Sequence, residues 1–359
     1  MYPRVSRLVA LSVATATAAL SVTVAPAAAQ QPAGAVSAIT AQLAQQLAGP
    51  LATDAGKAGL FSATSDVVVL SGSGTTPRLA NALHKANDAV LAAKGLPATT
   101  TPLLRLRLAN PDTRPALAHG AVPLVTAAPS DDTPASVTAY DRNGGTVLLD
   151  PARVPTRPVF VVEVDTSAAL AMGLDVVQST LAGHGINRAT PRVAAGTGYW
   201  ATMVTAVRLK DDEEPWIKGA AEIFGVTAGF GLDGKVKVDT VQMPYLDYDN
   251  TTYYPNQLIV HFDAYKYNLA DFVMMEDDGD TNYRDLAIAL ASALLTIADA
   301  GSYIPLVDAI LNAMPDSWWT DDPDYVDSWY TLSTHTNGHF NGARANGWMD
   351  LKPYWVEPL

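Results

Sequence analysis

The amino-acid sequence predicts an α+β protein: a C-terminal antiparallel β-sandwich with a two-helix insertion, preceded by a smaller Ala-rich lobe of helices and strands. Two patterns carry that expectation. From residue 200 onward, strand-like runs alternate with turn signals at the spacing of a sandwich. Before residue 110, apolar residues recur at helical spacing in alanine-rich segments. The aromatics divide in the same way. All 7 tryptophans lie between Trp200 and Trp355, and 12 of 14 tyrosines lie from Tyr199 onward, so the denser core belongs to the C-terminal part.

Along the chain, residues 1–29 have the form of a secretory leader: Arg4 and Arg7, an apolar stretch over 8–24, then Ala27-Ala28-Ala29 as a small-residue cleavage site. Val36, Ile39, Leu43 and Leu47 mark a first helix. Leu79, Leu83, Ala86 and Val90 mark a second, opened by Thr76-Pro77 and closed by Gly95-Leu96-Pro97. Leu104, Leu106 and Leu108 alternate with Arg105 and Arg107 as in a half-buried strand. A Pro-rich connector follows over 110–135, then a hairpin turning at Asp141-Arg142-Asn143-Gly144-Gly145, then a strong strand over 158–164. The sandwich runs are 201–209, 217–227, 235–242, 257–265 and 269–275. Helices are expected over 285–299 and 305–314, and final strands over 327–332 and 347–354. The organisation is therefore a leader over 1–29, a mainly helical lobe with connector over 30–135, a strand-rich section over 136–199, and the sandwich over 200–359, with its helices at 285–314.

Composition excludes several functions. The chain has no cysteine, which removes disulfides, thiol catalysis, Cys-ligated zinc and iron–sulfur clusters. A net charge of −13 argues against nucleic acid, whose phosphates call for a basic face. Beyond the leader, the best apolar stretch lies between Asp285 and Asp299, short of the ~18 residues a membrane span requires. A secreted, extracellular protein is expected, with no transmembrane segment once the leader is gone.

Charge is also unevenly placed. Residues 30–204 hold 12 basic and 11 acidic side chains, whereas 205–359 hold 9 and 25. If successive sandwich strands are antiparallel, their connections alternate between the two ends. Lys210-Asp211-Asp212-Glu213-Glu214, Asp247-Tyr248-Asp249-Asn250 and Glu276-Asp277-Asp278-Gly279-Asp280 are the first, third and fifth connections, so they share one end. Like charges at close range destabilise a fold unless a cation neutralises them. Asp211, Asp212, Glu214, Asp247, Asp249, Asp277, Asp278 and Asp280 are thus candidate metal ligands, and flexible oxygen-rich loops suit calcium best. The alternative is a set of solvated turns. No EF-hand spacing is present, since Tyr283 and Ala289 stand where the motif counted from Asp278 needs Gly and Glu.

Acidic loops gathered at one end of an aromatic-rich sandwich resemble the layout of C2-type calcium-binding modules, over residues 200–285. The stretches Glu214-Pro215-Trp216-Ile217-Lys218-Gly219-Ala220-Ala221-Glu222-Ile223 and Met275-Glu276-Asp277-Asp278-Gly279-Asp280-Thr281-Asn282-Tyr283 resemble an uncharacterised secreted bacterial family, domain of unknown function 3103. That resemblance implies no activity.

Catalytic signatures are absent. There is no H-E-x-x-H, no G-x-S-x-G and no phosphate-binding G-x-x-x-x-G-K-[ST]. Val164-Asp165-Thr166-Ser167 has the opening of an aspartic-protease motif, but Ala168 follows and no second copy exists. His335 and His339 flank Thr336-Asn337-Gly338 and read as turn histidines in a loop; His261 reads as a structural histidine in an apolar strand. Tyr245, Tyr248, Tyr253 and Tyr254 crowd the third connection and, with Trp318-Trp319, pose the question of carbohydrate stacking against core packing. The expected function is a non-catalytic, calcium-stabilised sandwich that binds a surface, a glycan or a protein. The alternative is a secreted hydrolase with a carboxylate/histidine site between the two halves.

Overall fold

In the N-terminal half of the computed structural model, helix α1 (Ala35–Leu51) is followed by α2 (Asp54–Leu60), β1 (Val67–Val69), α3 (Pro77–Ala93), β2 (Leu104–Leu108), α4 (Arg114–Ala118), β3 (Leu124–Ala127), β4 (Val137–Tyr140), β5 (Thr146–Leu149), β6 (Val159–Val164) and α5 (Thr166–Gly183). The structure describes residues 34–61, 65–129, 134–189, 198–211, 217–218, 221–277, 279–297, 299–314 and 325–358, so the expected leader lies outside it. Both helices expected from apolar spacing are present. The α3 N-terminus is set by the Thr76 hydroxyl, which accepts the Leu79 N–H at 3.4 Å, and by Pro77 in the first turn.

The N-terminal strands form one sheet in the order β1-β2-β6-β3-β4-β5. Only β3 and β6 run parallel; the other pairs are antiparallel. This sheet departs from the sequence reading in two places. The Pro-rich connector supplies β3, an interior strand whose four residues are all buried. The section expected to be strand-rich contains the 18-residue helix α5, which begins where the Asp165 carboxylate accepts the Ala168 N–H at 3.2 Å. Its exposed stripe, Ser167, Ala171, Asp175, Ser179 and Ala182, is part alanine and carries a single charge, so little contrast with the buried face marks the helical period.

The C-terminal half contributes β7 (Tyr199–Leu209), β8 (Ile223–Phe230), β9 (Val236–Gln242), β10 (Thr252–Tyr253), β11 (Gln257–His261), β12 (Leu269–Glu276), α6 (Tyr283–Leu294), α7 (Val307–Ala313), β13 (Tyr325–Ser333), β14 (Gly338–Asn341) and β15 (Gly347–Val356). They form two antiparallel sheets. In the outer sheet, β7 pairs with β10 and β11 on one side and with β15 on the other, and β14 lies beyond β15. The inner sheet has the order β13-β12-β8-β9. The run expected over 217–227 is shorter at its start and longer at its end, and 338–341, expected to be loop, is strand β14.

Side-chain alternation sets the layers. Every residue of β8 is buried because both faces of the inner sheet are covered. Phe224, Val226, Ala228 and Phe230 join a core that includes side chains of α1, α3, α5, α6 and α7 and one face of the N-terminal sheet. Ile223 faces the other way, into a second core with Val204, Val207, Phe272, Trp329, Met349 and Leu351, between the inner and outer sheets. The layers thus run N-terminal sheet, helices, inner sheet, outer sheet. Two glycines permit close approaches within these layers. A Cβ on Gly225 would lie 2.1 Å from the Phe272 ring, and one on Gly173 of α5 would lie 2.3 Å from the Tyr283 ring of α6.

Candidate functional site

Strand register places the acidic connections. Thr252 pairs with Arg208, Gln242 with Phe224, and Glu276 with Ile223, so the first, third and fifth connections all lie at one end of the sandwich. Asn250 ties two of them together: its N–H donates to the Leu209 carbonyl at 2.9 Å and its Nδ2 to the Lys210 carbonyl at 2.9 Å. The Asp211 N–H donates to Asn346 Oδ1 at 3.2 Å, Asp249 is exposed, and burial raises the Asp247 carboxyl above its usual range.

The fifth connection turns elsewhere. Asp277 is fully buried, and its Oδ1 accepts the Lys94 ammonium of the α3 C-terminus at 3.3 Å. Its Oδ2 accepts the Tyr283 hydroxyl, and Lys94 also donates to the Gly279 carbonyl at 3.0 Å. Asp280 accepts the Val36 N–H at 2.7 Å and the Ser37 hydroxyl at 2.7 Å, at the positive end of α1. The N-terminal half therefore pairs Asp277 with a cation and hydrogen-bonds Asp280 at a helix N-terminus. Asp212, Glu214 and Asp278 lie outside the described residues. Among the described residues, no group of three or more His, Cys, Asp or Glu could hold a metal ion.

Where the halves meet, polar groups are dense. Glu163 of β6 receives Arg105 Nε at 2.7 Å and Arg107 Nε at 2.8 Å from neighbouring β2, and Arg107 also donates to the Ile217 carbonyl at 2.6 Å. Next to this, the Ser167 hydroxyl donates to Glu222 Oε1 at 2.8 Å. Burial pushes the Glu222 carboxyl up to about 7; hydrogen bonds from Thr166 and Ser167 oppose the rise, Asp277 adds to it and Arg105 lowers it. A cavity of about 40 Å³ lies here, with Thr166, Lys218, Glu163 and Glu222 among its lining residues. Neither Ser167 nor Glu222 was singled out by sequence. The only signal was the Asp165-Thr166-Ser167 turn, and it pointed to the aspartate.

The sign of the Glu222 shift makes a prediction. A carboxyl raised in the folded state favours the protonated form, so its stabilisation is complete below the unfolded value near 4.5 and is lost as pH rises through about 7. Asp239, which burial lifts to about 6, acts in the same direction. Urea midpoints should therefore fall between pH 5 and about pH 8, with a shallower fall in Glu222→Gln. An unchanged slope in that variant would remove Glu222 from the account.

The other feature is the open face of the outer sheet. Along β15, Met349 and Leu351 point into the second core, so Trp348, Asp350, Lys352 and Tyr354 point outward. Register adds Tyr199 and Arg208 from β7, and His339 and Asn341 from β14. Tyr354 is 41% exposed, His339 packs against Trp348 with ring centroids 4.8 Å apart, and its Nδ1 lies 2.7 Å from Asp350 Oδ1. The Tyr199 hydroxyl meets His261 Nδ1 at 3.0 Å. Of the third-connection tyrosines, Tyr245 and Tyr253 pack against the second core, while Tyr248 and Tyr254 are exposed; Trp318-Trp319 lie outside the described residues. Among the described residues, no helix is long and apolar enough to cross a membrane.

Layering and site together define an α+β protein whose β-sandwich is clasped on one side by a helical layer and presents an aromatic, polar sheet face on the other. The chain belongs to the family described as "Protein of unknown function (DUF3103)", whose model matches residues 30–359. That match bears out the resemblance drawn from the two motif stretches and adds nothing to the C2-type likeness. Neither a curated protein nor a solved structure matches the chain.

Proposed function

We propose that this is an exported protein that binds a saccharide on the open face of its outer sheet. Export rests on the leader-like residues 1–29. The observation that carries binding is the outward row of Trp348, Asp350, Lys352 and Tyr354 on one strand. At 3.3 Å per residue, the two rings stand roughly 20 Å apart, the length of several sugar units. Aromatic faces cover the apolar side of a sugar ring, and the carboxylate, ammonium and imidazole between them meet its hydroxyls. Retention on immobilised polysaccharides tests the proposal. Tyr354→Ala and Trp348→Ala should each weaken retention roughly tenfold, matching about 1.4 kcal/mol per ring, with melting unchanged. Retention equal to wild type in both variants would end the reading.

A second reading, calcium binding, is favoured by the shared end of the first and third connections. Asp211, Asp247 and Asp249 would contribute, with Asp212 and Glu214 next in sequence, whereas Asp277 and Asp280 are engaged elsewhere. An ion at 100 times its dissociation constant would add about 2.7 kcal/mol, so the melting temperature should rise in millimolar calcium. Identical melts in calcium and in chelator would contradict it.

A further inference from the structure

A groove of about 690 Å³ lies where α5 and α6 end beside the turn between β8 and β9. Small-molecule sites have volumes of roughly 300–1,000 Å³. Strand register puts this groove at the end of the sandwich opposite the acidic connections. Phe230 pairs with Val236 and Gly231 bridges to Tyr265, so the turns after β8 and before β12 stand side by side. The Lys266 N–H fastens them by donating to the Phe230 carbonyl at 2.8 Å. Local sequence supplies an apolar floor. Helix α5 closes on Gly185 at φ 87°, and the Ile186 N–H returns to the Leu181 carbonyl at 2.9 Å. Ile186 is thereby buried with Val236 and Leu294 at the base of the groove. Leu232 and Leu295 line the same groove, yet they are 49% and 52% exposed. Leu232 stands in a turn between Gly231 and Gly234, a place where polar residues are the rule and folding gains little from a leucine.

The polar groups of the groove are not balanced. Its two carboxylates already have partners: Asp233 Oδ2 accepts the Lys237 ammonium at 2.9 Å, and Asp299 accepts the Lys266 ammonium, the Tyr267 hydroxyl at 2.6 Å and the Gly301 N–H at 2.9 Å. The Lys235 ammonium and the His184 imidazole, which also line the groove, meet no hydrogen-bond or ion-pair partner among the described residues. In a chain of net charge −13, this end thus offers unengaged donors beside exposed leucines. We propose that the groove binds a medium-chain fatty acid, its tail against Leu232, Leu295 and the buried floor, and its carboxylate at Lys235 and His184. Exposed leucines lose their contact with water when the tail lies between them, and the carboxylate supplies the acceptor that the two donors lack. Two helix C-termini also point their negative ends here, so the choice of an anionic over a cationic head decides the matter.

Isothermal titration of the full chain with octanoate, decanoate and dodecanoate, each below its micelle-forming concentration, tests the proposal. One molecule should bind per chain, and each added pair of methylenes should tighten binding roughly tenfold. Leu232→Asp should weaken decanoate binding roughly tenfold, and Lys235→Ala about fivefold. Both side chains are exposed, so both variants should keep the wild-type melting temperature. Decyltrimethylammonium carries the same length of tail on the opposite charge and should bind roughly tenfold more weakly than decanoate. Folded wild-type protein that does not bind decanoate, decanoate binding unchanged in Leu232→Asp, or a cationic probe that binds as tightly as decanoate overturns the proposal. The groove lies in the helical layer and away from the open face of the outer sheet, so these outcomes leave saccharide binding to its own test.

Discussion

Lys94→Met should lower stability by about 3–5 kcal/mol, because it strands a carboxylate in a place that water does not reach. Lys94 and Asp277 are both 0% exposed, and their contact joins α3 to the fifth connection of the sandwich. The ammonium also donates to the Gly279 carbonyl at 3.0 Å, so one side chain satisfies two groups of the same turn. A buried charge left without its counter-ion is costly, whereas replacement of both charges by apolar groups is often neutral. The double variant Lys94→Met with Asp277→Leu should therefore recover much of the loss. Urea midpoints measure all three proteins. A single variant as stable as wild type would mean that the halves do not depend on this contact.

Asp327→Asn should cost on the order of 3 kcal/mol and also disturb the open face. Asp327 of β13 is fully buried, and its Oδ1 accepts the Ser328 and Arg344 N–H groups, each at 2.8 Å. Its Oδ2 accepts the Asn346 N–H at 2.9 Å and the Gly347 N–H at 2.8 Å. One carboxylate thus shapes the turn between β14 and β15, the turn that delivers Trp348 to the outward row. An amide replaces one acceptor with a donor that would face backbone donors, leaving buried N–H groups unsatisfied. Gly342 is part of the same arrangement, since a Cβ there would lie 2.1 Å from the Asp327 carboxyl carbon. Thermal melting reads the stability, and the part of the tryptophan emission that Trp348→Phe removes reads the face. Wild-type values for both would show that the turn holds its shape without the charge.

Much of the fold is legible in local pattern. Leu104, Leu106 and Leu108 alternate with two arginines, and the strand appears with that burial; Thr76-Pro77 opens a helix, and the helix begins there. The shared end of the acidic connections also follows from strand order alone, because antiparallel pairing alternates the connections. What local pattern does not carry is the chemistry across the halves. Asp280 meets Ser37 across 243 residues and Lys94 meets Asp277 across 183, so carboxylates that seem to need a cation already have partners. Glu222 is hidden for the same reason: its environment comes from α5 and β2, and the sequence around it shows only a glutamate before a strand. Helix α5 escapes local pattern because its exposed stripe includes Ala171 and Ala182 and only one charge, Asp175, so the polar contrast by which periodicity is recognised is weak.

Hydroxyl-radical footprinting of the protein with and without a polysaccharide that retains it tests the central proposal most directly. Aromatic side chains react readily, so the bound ligand reports its own position. Protection is expected at Tyr199, Trp348 and Tyr354 on the open face, while Trp200 and Trp355, paired at 5.2 Å near the far end of β7 and both exposed, keep their reactivity. Protection of that tryptophan pair, or of Tyr248 and Tyr254, with the outward row of β15 unchanged, would contradict the account.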